Sequence, residues 1–162
     1  MTDRAKETIF NILGESVVGA TVLDLFAGCG SLGLEALSRG AREVTFVEKG
    51  PWAVKTISLN LKRLGLEKKA LLLRQDVFPT LRTFGRERRT FSLVFLDPPY
   101  NKGLVKKILL RLDQSDIVSP LTQLTLHRSR QEKLPANLER LGVLREKQVG
   151  QACLSFLFRR KY

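Results

Sequence analysis

The segment from Thr21 to Gly40 restricts the fold more than any other part of the chain. Thr21-Val22-Leu23-Asp24-Leu25-Phe26 is a short apolar run of strand character. Ala27-Gly28-Cys29-Gly30-Ser31-Leu32-Gly33 then forms a glycine loop, and Leu34-Glu35-Ala36-Leu37-Ser38-Arg39 carries a helical pattern stopped by Gly40. Strand, loop and helix in this order make a nucleotide-binding turn. Gly28 and Gly30 let the backbone turn tightly and approach a ligand, while Gly33 lets the helix pack closely on the sheet. The next apolar run, Glu43-Val44-Thr45-Phe46-Val47, ends in Glu48, eighteen positions beyond Gly30. An acid there can accept both hydroxyls of a ribose.

A second feature assigns chemistry to this frame. Asp97-Pro98-Pro99-Tyr100 follows the apolar run Phe91-Ser92-Leu93-Val94-Phe95-Leu96 and so hangs from the C-terminal tip of a buried strand, where open α/β sheets carry their sites. Two consecutive prolines cannot continue a sheet ladder; they hold the backbone extended and present the Asp97 carboxylate, the carbonyl oxygens and an aromatic ring at fixed positions. Such an arrangement suits a planar base bearing an amino group. The lone pair of an exocyclic amine is delocalised into the ring, and hydrogen bonds from its N–H groups to oxygens favour a more pyramidal, attacking nitrogen. Tyr100 would stack on the base. For the tetrapeptide alone, a stiffened turn ending a strand is the competing reading.

The rest of the chain repeats the alternation of strand and helix. Thr2 or Asp3 can cap an opening helix with an apolar stripe of Ile9, Phe10, Ile12 and Leu13, ended by Gly14. Pro51 opens a helix carrying Val54, Ile57, Leu61 and Leu64, stopped by Gly65. Ala70-Leu71-Leu72-Leu73 is a third strand ending near Asp76, and a short helix and the segment Arg86-Glu87-Arg88-Arg89 lead to the strand before Asp97. Leu104 to Leu112 returns as a helix, and Leu121 to Leu126 is a fifth strand. Val143 to Lys147 and Ala152 to Phe158 flank Gly150 as an antiparallel hairpin. The expected fold is therefore α/β: a doubly wound, mostly parallel sheet of about seven strands closed by a C-terminal antiparallel hairpin, in one domain over residues 1–162.

In such a sheet Asp24, Glu48, Asp76 and Asp97 end four strands facing one crevice. Asp24 with the loop would hold the amino-acid end of a cofactor, Glu48 its ribose and Asp76 the adenine amino group. That leaves Asp97 to Tyr100 for the acceptor. Asp76 could equally cap the helix that follows it.

Composition narrows the partner. Lys and Arg number 28 against 16 Asp and Glu, a net charge of +12 that on so small a body implies a polyanion, most economically nucleic acid. Basic residues gather at Arg82, Arg86, Arg88 and Arg89, at Lys102, Lys106 and Lys107, at Arg128, Arg130 and Lys133, and at Arg159, Arg160 and Lys161. Lys102 and Lys106 stand out, since their spacing puts both on one helix face beside the proposed base pocket. Two cysteines and the single histidine, His127, are too few for a metal cluster or a disulfide framework, and Cys29 has no histidine near it in sequence to make it a nucleophile. Apolar runs are short and no leader precedes them, so a cytosolic protein without a membrane span is expected.

Taken together these residues resemble the class I, S-adenosylmethionine-dependent methyltransferases of amino nitrogens with their Rossmann-like fold, and among them the RsmD-type 16S ribosomal RNA guanine-N2 methyltransferases. The resemblance is carried by Asp24 to Gly40 and Asp97 to Tyr100, and by the flanking Thr2-Asp3-Arg4-Ala5-Lys6-Glu7-Thr8 and Arg145-Glu146-Lys147-Gln148-Val149-Gly150-Gln151. It implies methyl transfer to a guanine of the small ribosomal subunit, on a partly assembled particle, by a monomer. The implied cofactor residues are Asp24, Phe26, Ala27, Gly28, Gly30, Glu48, Asp76 and Asp97; the catalytic segment is Asp97, Pro98, Pro99 and Tyr100; Arg4, Lys102, Lys106 and Arg128 are the candidate RNA contacts. Two departures from the family accompany it. The chain starts at the Thr2-Asp3-Arg4 motif, without the basic segment that usually precedes it, so an RNA-holding element is absent or lies upstream; and His127 stands where the family tends to have an acid.

The target base must leave its stack to reach such a site. Asp97 and the Pro98 carbonyl would orient its amine, and the proton would pass afterwards to Asp97 or to water. A nicotinamide dehydrogenase shares the glycine loop but has no use for Asp97 to Tyr100. DNA adenine and protein glutamine methyltransferases share that tetrapeptide; the first is disfavoured by the lack of a separate recognition domain, the second by the positive charge. A non-catalytic RNA-binding relative would have lost the glycines or Asp97, and both are present.

Overall fold

The computed structural model describes residues 1–161. Helix α1 (Asp3–Leu13) is capped by Thr2, whose side chain accepts the Ala5 N–H at 3.1 Å. Strand β1 (Thr21–Leu25), helix α2 (Ser31–Ser38), strand β2 (Glu43–Glu48) and helix α3 (Pro51–Leu64) follow, with Pro51 in the first turn of α3 and Gly65 in the left-handed conformation closing it. Strand β3 (Ala70–Arg74), helix α4 (Val77–Arg86), strand β4 (Leu93–Leu96) and helix α5 (Leu104–Asp113) complete the alternating part, and β5 (Gln123–Ser129), β6 (Leu141–Val149) and β7 (Ala152–Arg159) end the chain. The sheet order is β3-β2-β1-β4-β5-β7-β6. The first five strands run parallel, β7 lies antiparallel between β5 and β6, and so the expected seven-stranded, mostly parallel sheet with an antiparallel hairpin is what forms.

Both faces of the central strands are covered. Val22, Val44, Phe46 and Phe95 point to one side, under α1, α2 and α3, while Leu23, Leu25, Val94 and Leu96 point to the other, under α4 and α5. Alternate residues of each strand thus bury into separate cores, which is why these strands read as continuous apolar runs. Two boundaries differ from expectation. The fifth strand begins at Gln123 and extends to Ser129, leaving Leu121 82% exposed in the preceding turn. The hairpin is longer than predicted, with a bulge between Val143 and Arg145, because six consecutive exposed residues of the outer strand leave no alternation to mark its ends.

Entry into the hairpin is fixed by a residue at the end of α5. Asp113 is 2% exposed and accepts the backbone N–H groups of Glu139, Arg140 and Leu141 at 3.0, 2.9 and 2.8 Å. Burial pushes its carboxyl up, but these bonds and the Gln114 amide outweigh it and hold the group below its usual value.

Gly33 shows why the loop must be followed by a residue without a side chain. A Cβ there would lie 2.8 Å from Phe46 Cζ and 2.9 Å from Val44 Cγ1, against the fully buried face of β2. Gly33→Ala is expected to lower stability by about 3 kcal/mol, the upper range for overpacking a rigid core, measured by urea unfolding; a loss under about 1 kcal/mol would show that α2 can lift from the sheet without penalty.

Candidate functional site

A cleft of about 1010 Å³ opens across the C-terminal ends of the parallel strands. It lies over the junction of β1 and β4, where the strand order reverses and the loops diverge. Its walls include Phe26 and Gly28 from the loop after β1, Glu48 at the tip of β2, Asp76 to Phe78 after β3, Asp97 to Tyr100 after β4, and His127 in β5. Arg4 and the turn from Val149 to Ala152 contribute the remaining side.

The glycine loop is tied to the neighbouring strand. Glu48 Oε1 accepts the Gly28 N–H at 2.9 Å and Oε2 accepts the Gly50 N–H at 2.6 Å, so one carboxylate aligns the loops after β1 and β2. Phe26 has φ of 58°, a strained conformation for a non-glycine residue, beside the ligand side of that loop. Gly30 takes φ of 84° as the residue before α2 and is buried against Ile57 and Phe46, whereas a Cβ built on Gly28 would meet nothing within 4 Å. The space above Gly28 is therefore open to a ligand. Ala27 donates its N–H to the Val47 carbonyl at 3.0 Å and forms the base of the loop rather than the cleft wall.

Asp24 sits differently from the other three acids. It is 1% exposed, and its Oδ2 accepts the Gly33 N–H at 3.1 Å, so it holds the start of α2 from beneath and does not line the cleft. Contact with the amino-acid end of a cofactor would pass through the loop it supports. Burial raises its carboxyl to about 8 despite the Gly33 N–H, with the neighbouring charges of Asp97 and Glu48 adding to the rise. The folded protein therefore holds a proton here that the unfolded chain loses above its ordinary 3.8. The contribution of Asp24 to stability is full below about pH 4 and is lost as pH climbs towards about 8. Asp24→Asn keeps an acceptor for Gly33 and should flatten this decline; unfolding free energies at pH 5 and pH 8 check it, and an unchanged difference between them would refute it.

Asp76 both lines the cleft and caps α4, its Oδ1 accepting the Phe78 N–H at 3.1 Å. The capping alternative is thus realised without removing the side chain from the site. Asp97 is half-buried at the tip of β4, Pro98 is buried, and Tyr100 is 39% exposed. Asn101, with φ of 56°, donates its N–H to Glu132 Oε1 at 3.0 Å and anchors the exit of the tetrapeptide to the loop after β5.

Two expectations about basic residues are corrected. Arg128 is buried: it donates to Ser155 Oγ at 3.2 Å, to the Glu132 carbonyl and to Glu146 Oε1 at 3.3 Å, locking β5 to β6 and β7. Its burial and its three partners within the protein, not its place in an interior strand, set it apart from the exposed basic residues and are at odds with a contact to RNA. Lys102 precedes Gly103, the cap of α5, and so does not share a helical face with Lys106. Both lysines are nonetheless exposed, each two residues in sequence from Leu104 of the cleft wall, and Arg4 is exposed and lines the cleft itself. Arg89, one of the basic cluster before β4, stacks on Phe84 and Phe91 at 4.3 and 5.1 Å.

Sequence reasoning left the hairpin turn and His127 outside the set of site residues. The turn reaches the cleft because Val149 pairs with Ala152, the last register of a hairpin packed against the parallel sheet. For His127 a signal existed: Leu96 is in register with Leu126 in a parallel pair, so the residue after each, Asp97 and His127, falls beside the other.

The family model described as conserved hypothetical protein 95 matches residues 1–158. The chain is 36% identical to YlbH of Bacillus subtilis strain 168, over 92% of this chain and 81% of that protein. It is 32% identical to the ribosomal RNA small subunit methyltransferase D of Escherichia coli K12, over 93% of this chain and 74% of the other. Among solved structures, yhhF from Escherichia coli superimposes with a TM-score of 0.86 at 31% identity, covering 99% of this chain and 87% of that one.

Proposed function

The chain belongs to the family of conserved hypothetical protein 95, the RsmD-type family, and from that membership and the cleft we propose that it is an S-adenosylmethionine-dependent methyltransferase of ribosomal RNA acting on the exocyclic N2 amine of a guanine in the small-subunit molecule. The reading rests on one observation above all: the Asp97-Pro98-Pro99-Tyr100 segment and the Gly28–Glu48 pair open onto the same cleft. Residues suited to a nucleoside cofactor and residues suited to a planar amine thus face each other. The site also fits the charge of this cofactor. Glu48, Asp76 and Asp97 give an acidic wall inside a chain of net charge +12, which favours a small cation within the cleft and a polyanion outside it.

In this reading Glu48 accepts the ribose hydroxyls, Asp76 and the N-terminal turn of α4 meet the adenine, and the loop at Phe26 to Gly28 holds the amino-acid end. Bound there, S-adenosylmethionine supplies an electrophilic methyl group on a sulfonium centre. Tyr100 receives the extruded guanine by stacking. Asp97 and the Pro98 carbonyl accept the two amine N–H groups and aim the nitrogen at the methyl carbon. The amine nitrogen would gain the methyl carbon as the S–C bond of the sulfonium breaks, the pair going to sulfur, and the proton then lost from the cationic amine would pass to Asp97 or to water. Positioning supplies most of the rate. Residues 1–162 act as one catalytic domain, working as a monomer in the cytoplasm on a partly assembled small-subunit particle.

The test is methyl transfer from S-adenosylmethionine to small-subunit particles from cells lacking the enzyme, with the modified nucleotide mapped. A methylated guanine N2 in 16S ribosomal RNA is expected. Methylation of adenine would overturn the base assignment, and binding of a nicotinamide dinucleotide in place of S-adenosylmethionine would overturn the activity. RNA capture through the exposed rim makes a further prediction. Replacing Arg4, Lys102 and Lys106 by Gln should reduce the slope of log affinity against log salt by about 1 for each phosphate that is no longer neutralised, measured by filter binding. An unchanged slope would remove these three residues from the RNA interface.

A further inference from the structure

The chain has one histidine, and it stands between the two side chains given separate tasks in the proposed reaction. His127 is 5% exposed in β5. Its Nδ1 lies 2.8 Å from Asp97 Oδ1 and its Nε2 lies 3.1 Å from the Tyr100 hydroxyl, with the two rings 5.5 Å apart and tilted by 31°. We propose that His127 is a positioning residue that holds the amine-orienting carboxylate of Asp97 and the base-stacking ring of Tyr100 in one fixed relation. The proposal rests on the methyltransferase reading above.

Hydrogen-bond chemistry determines which nitrogen carries the proton. An ionised carboxylate only accepts, so Nδ1 must carry the hydrogen and donate it to Asp97 Oδ1. In the neutral imidazole Nε2 then has a lone pair, and it accepts the Tyr100 O–H. Tyr100 keeps that proton: burial, together with the charges of Asp97 and Glu132, raises its phenol above the ordinary 10.0. Engaging Oδ1 fixes the plane of the carboxylate and leaves Oδ2 for the acceptor amine. The same imidazole fixes the far end of the tyrosine ring, so the stacking surface and the amine acceptor cannot rotate independently. This geometry reduces the orientational freedom that the reaction would otherwise have to restrict.

Two substitutions separate the two bonds, since the asparagine amide occupies the position of Nδ1 and the glutamine amide that of Nε2. His127→Asn keeps a donor for Asp97 and loses Tyr100; it should raise KM for the RNA particle more than it lowers kcat. His127→Gln keeps a partner for Tyr100 and frees Asp97; it should lower kcat about tenfold or more with a smaller change in KM. Calorimetric affinity for S-adenosylmethionine should remain near wild type in both. Equal effects of the two variants on kcat and KM, or none, would overturn the division. A second measurement needs no activity: nitrogen-15 NMR of the wild-type protein at pH 8 reads the lone histidine without ambiguity. A protonated Nδ1 and a bare Nε2 support the arrangement, and a protonated Nε2 with a bare Nδ1 refutes it. If the wild-type protein transfers no methyl group, the functional reading fails while the NMR result still judges the hydrogen-bond arrangement itself.

Discussion

Asp97→Ala is expected to cut methyl transfer about a hundredfold or more while leaving S-adenosylmethionine affinity near that of the wild type. In the proposed reaction the carboxylate accepts an N–H of the attacking amine, a bond that strengthens as the nitrogen becomes more pyramidal. Losing such a bond costs about 3 kcal/mol in the transition state, which corresponds to that change in rate. The effect should exceed that of removing a solvent-exposed carboxylate, because Oδ1 is already held by His127 at 2.8 Å and the group needs no reorganisation when the base arrives. Single-turnover rates with preformed cofactor complex, set beside calorimetric binding, separate the two quantities. Undiminished turnover would remove Asp97 from the chemistry.

Glu48→Ala should show the opposite pattern, a loss of about a hundredfold in cofactor affinity with less effect on the rate at saturation. Two losses combine. The ribose hydroxyls lose an ionised acceptor, where each charge-assisted bond contributes about 1.5 to 3 kcal/mol. The Gly28 and Gly50 N–H groups also lose the carboxylate that aligns their loops at 2.9 and 2.6 Å. Glu48→Gln retains one acceptor oxygen and should lie between the wild type and Glu48→Ala. Calorimetric titration with S-adenosylmethionine checks the series. An unchanged affinity in Glu48→Ala would place the ribose elsewhere.

The parallel sheet was legible because its central strands β1, β2 and β4 are buried on both faces and therefore appear as short uninterrupted apolar runs, with Asp24, Glu48 and Asp97 at or near their ends. The helix starts at Thr2 and Pro51 and the stop at Gly65 were legible for a local reason, since a cap depends on a few adjacent residues. The hairpin was harder to bound: six consecutive residues of β6 are exposed, and its partner strand decides the register.

Positive charge and the order of motifs point to a nucleic-acid partner and an amino-directed cleft from sequence alone, because they are sums or local patterns that need no coordinates. Which charges face outward is another matter. Arg128 looked like Arg130 in sequence, yet Arg128 lies within β5 and is buried beside Glu146 and Ser155, while Arg130 follows the end of the strand and is exposed. Asp24 looked like the other strand-tip acids, yet one residue of strand still follows it, and the loop folds over it. The hydrogen bonds of His127 to Asp97 and to Tyr100 join residues far apart in the chain. Local pattern carries strands, helices, caps and the chemistry of a tetrapeptide; only the pairing of β4 with β5 brings the histidine to the carboxylate, because register is a property of two strands and belongs to neither alone.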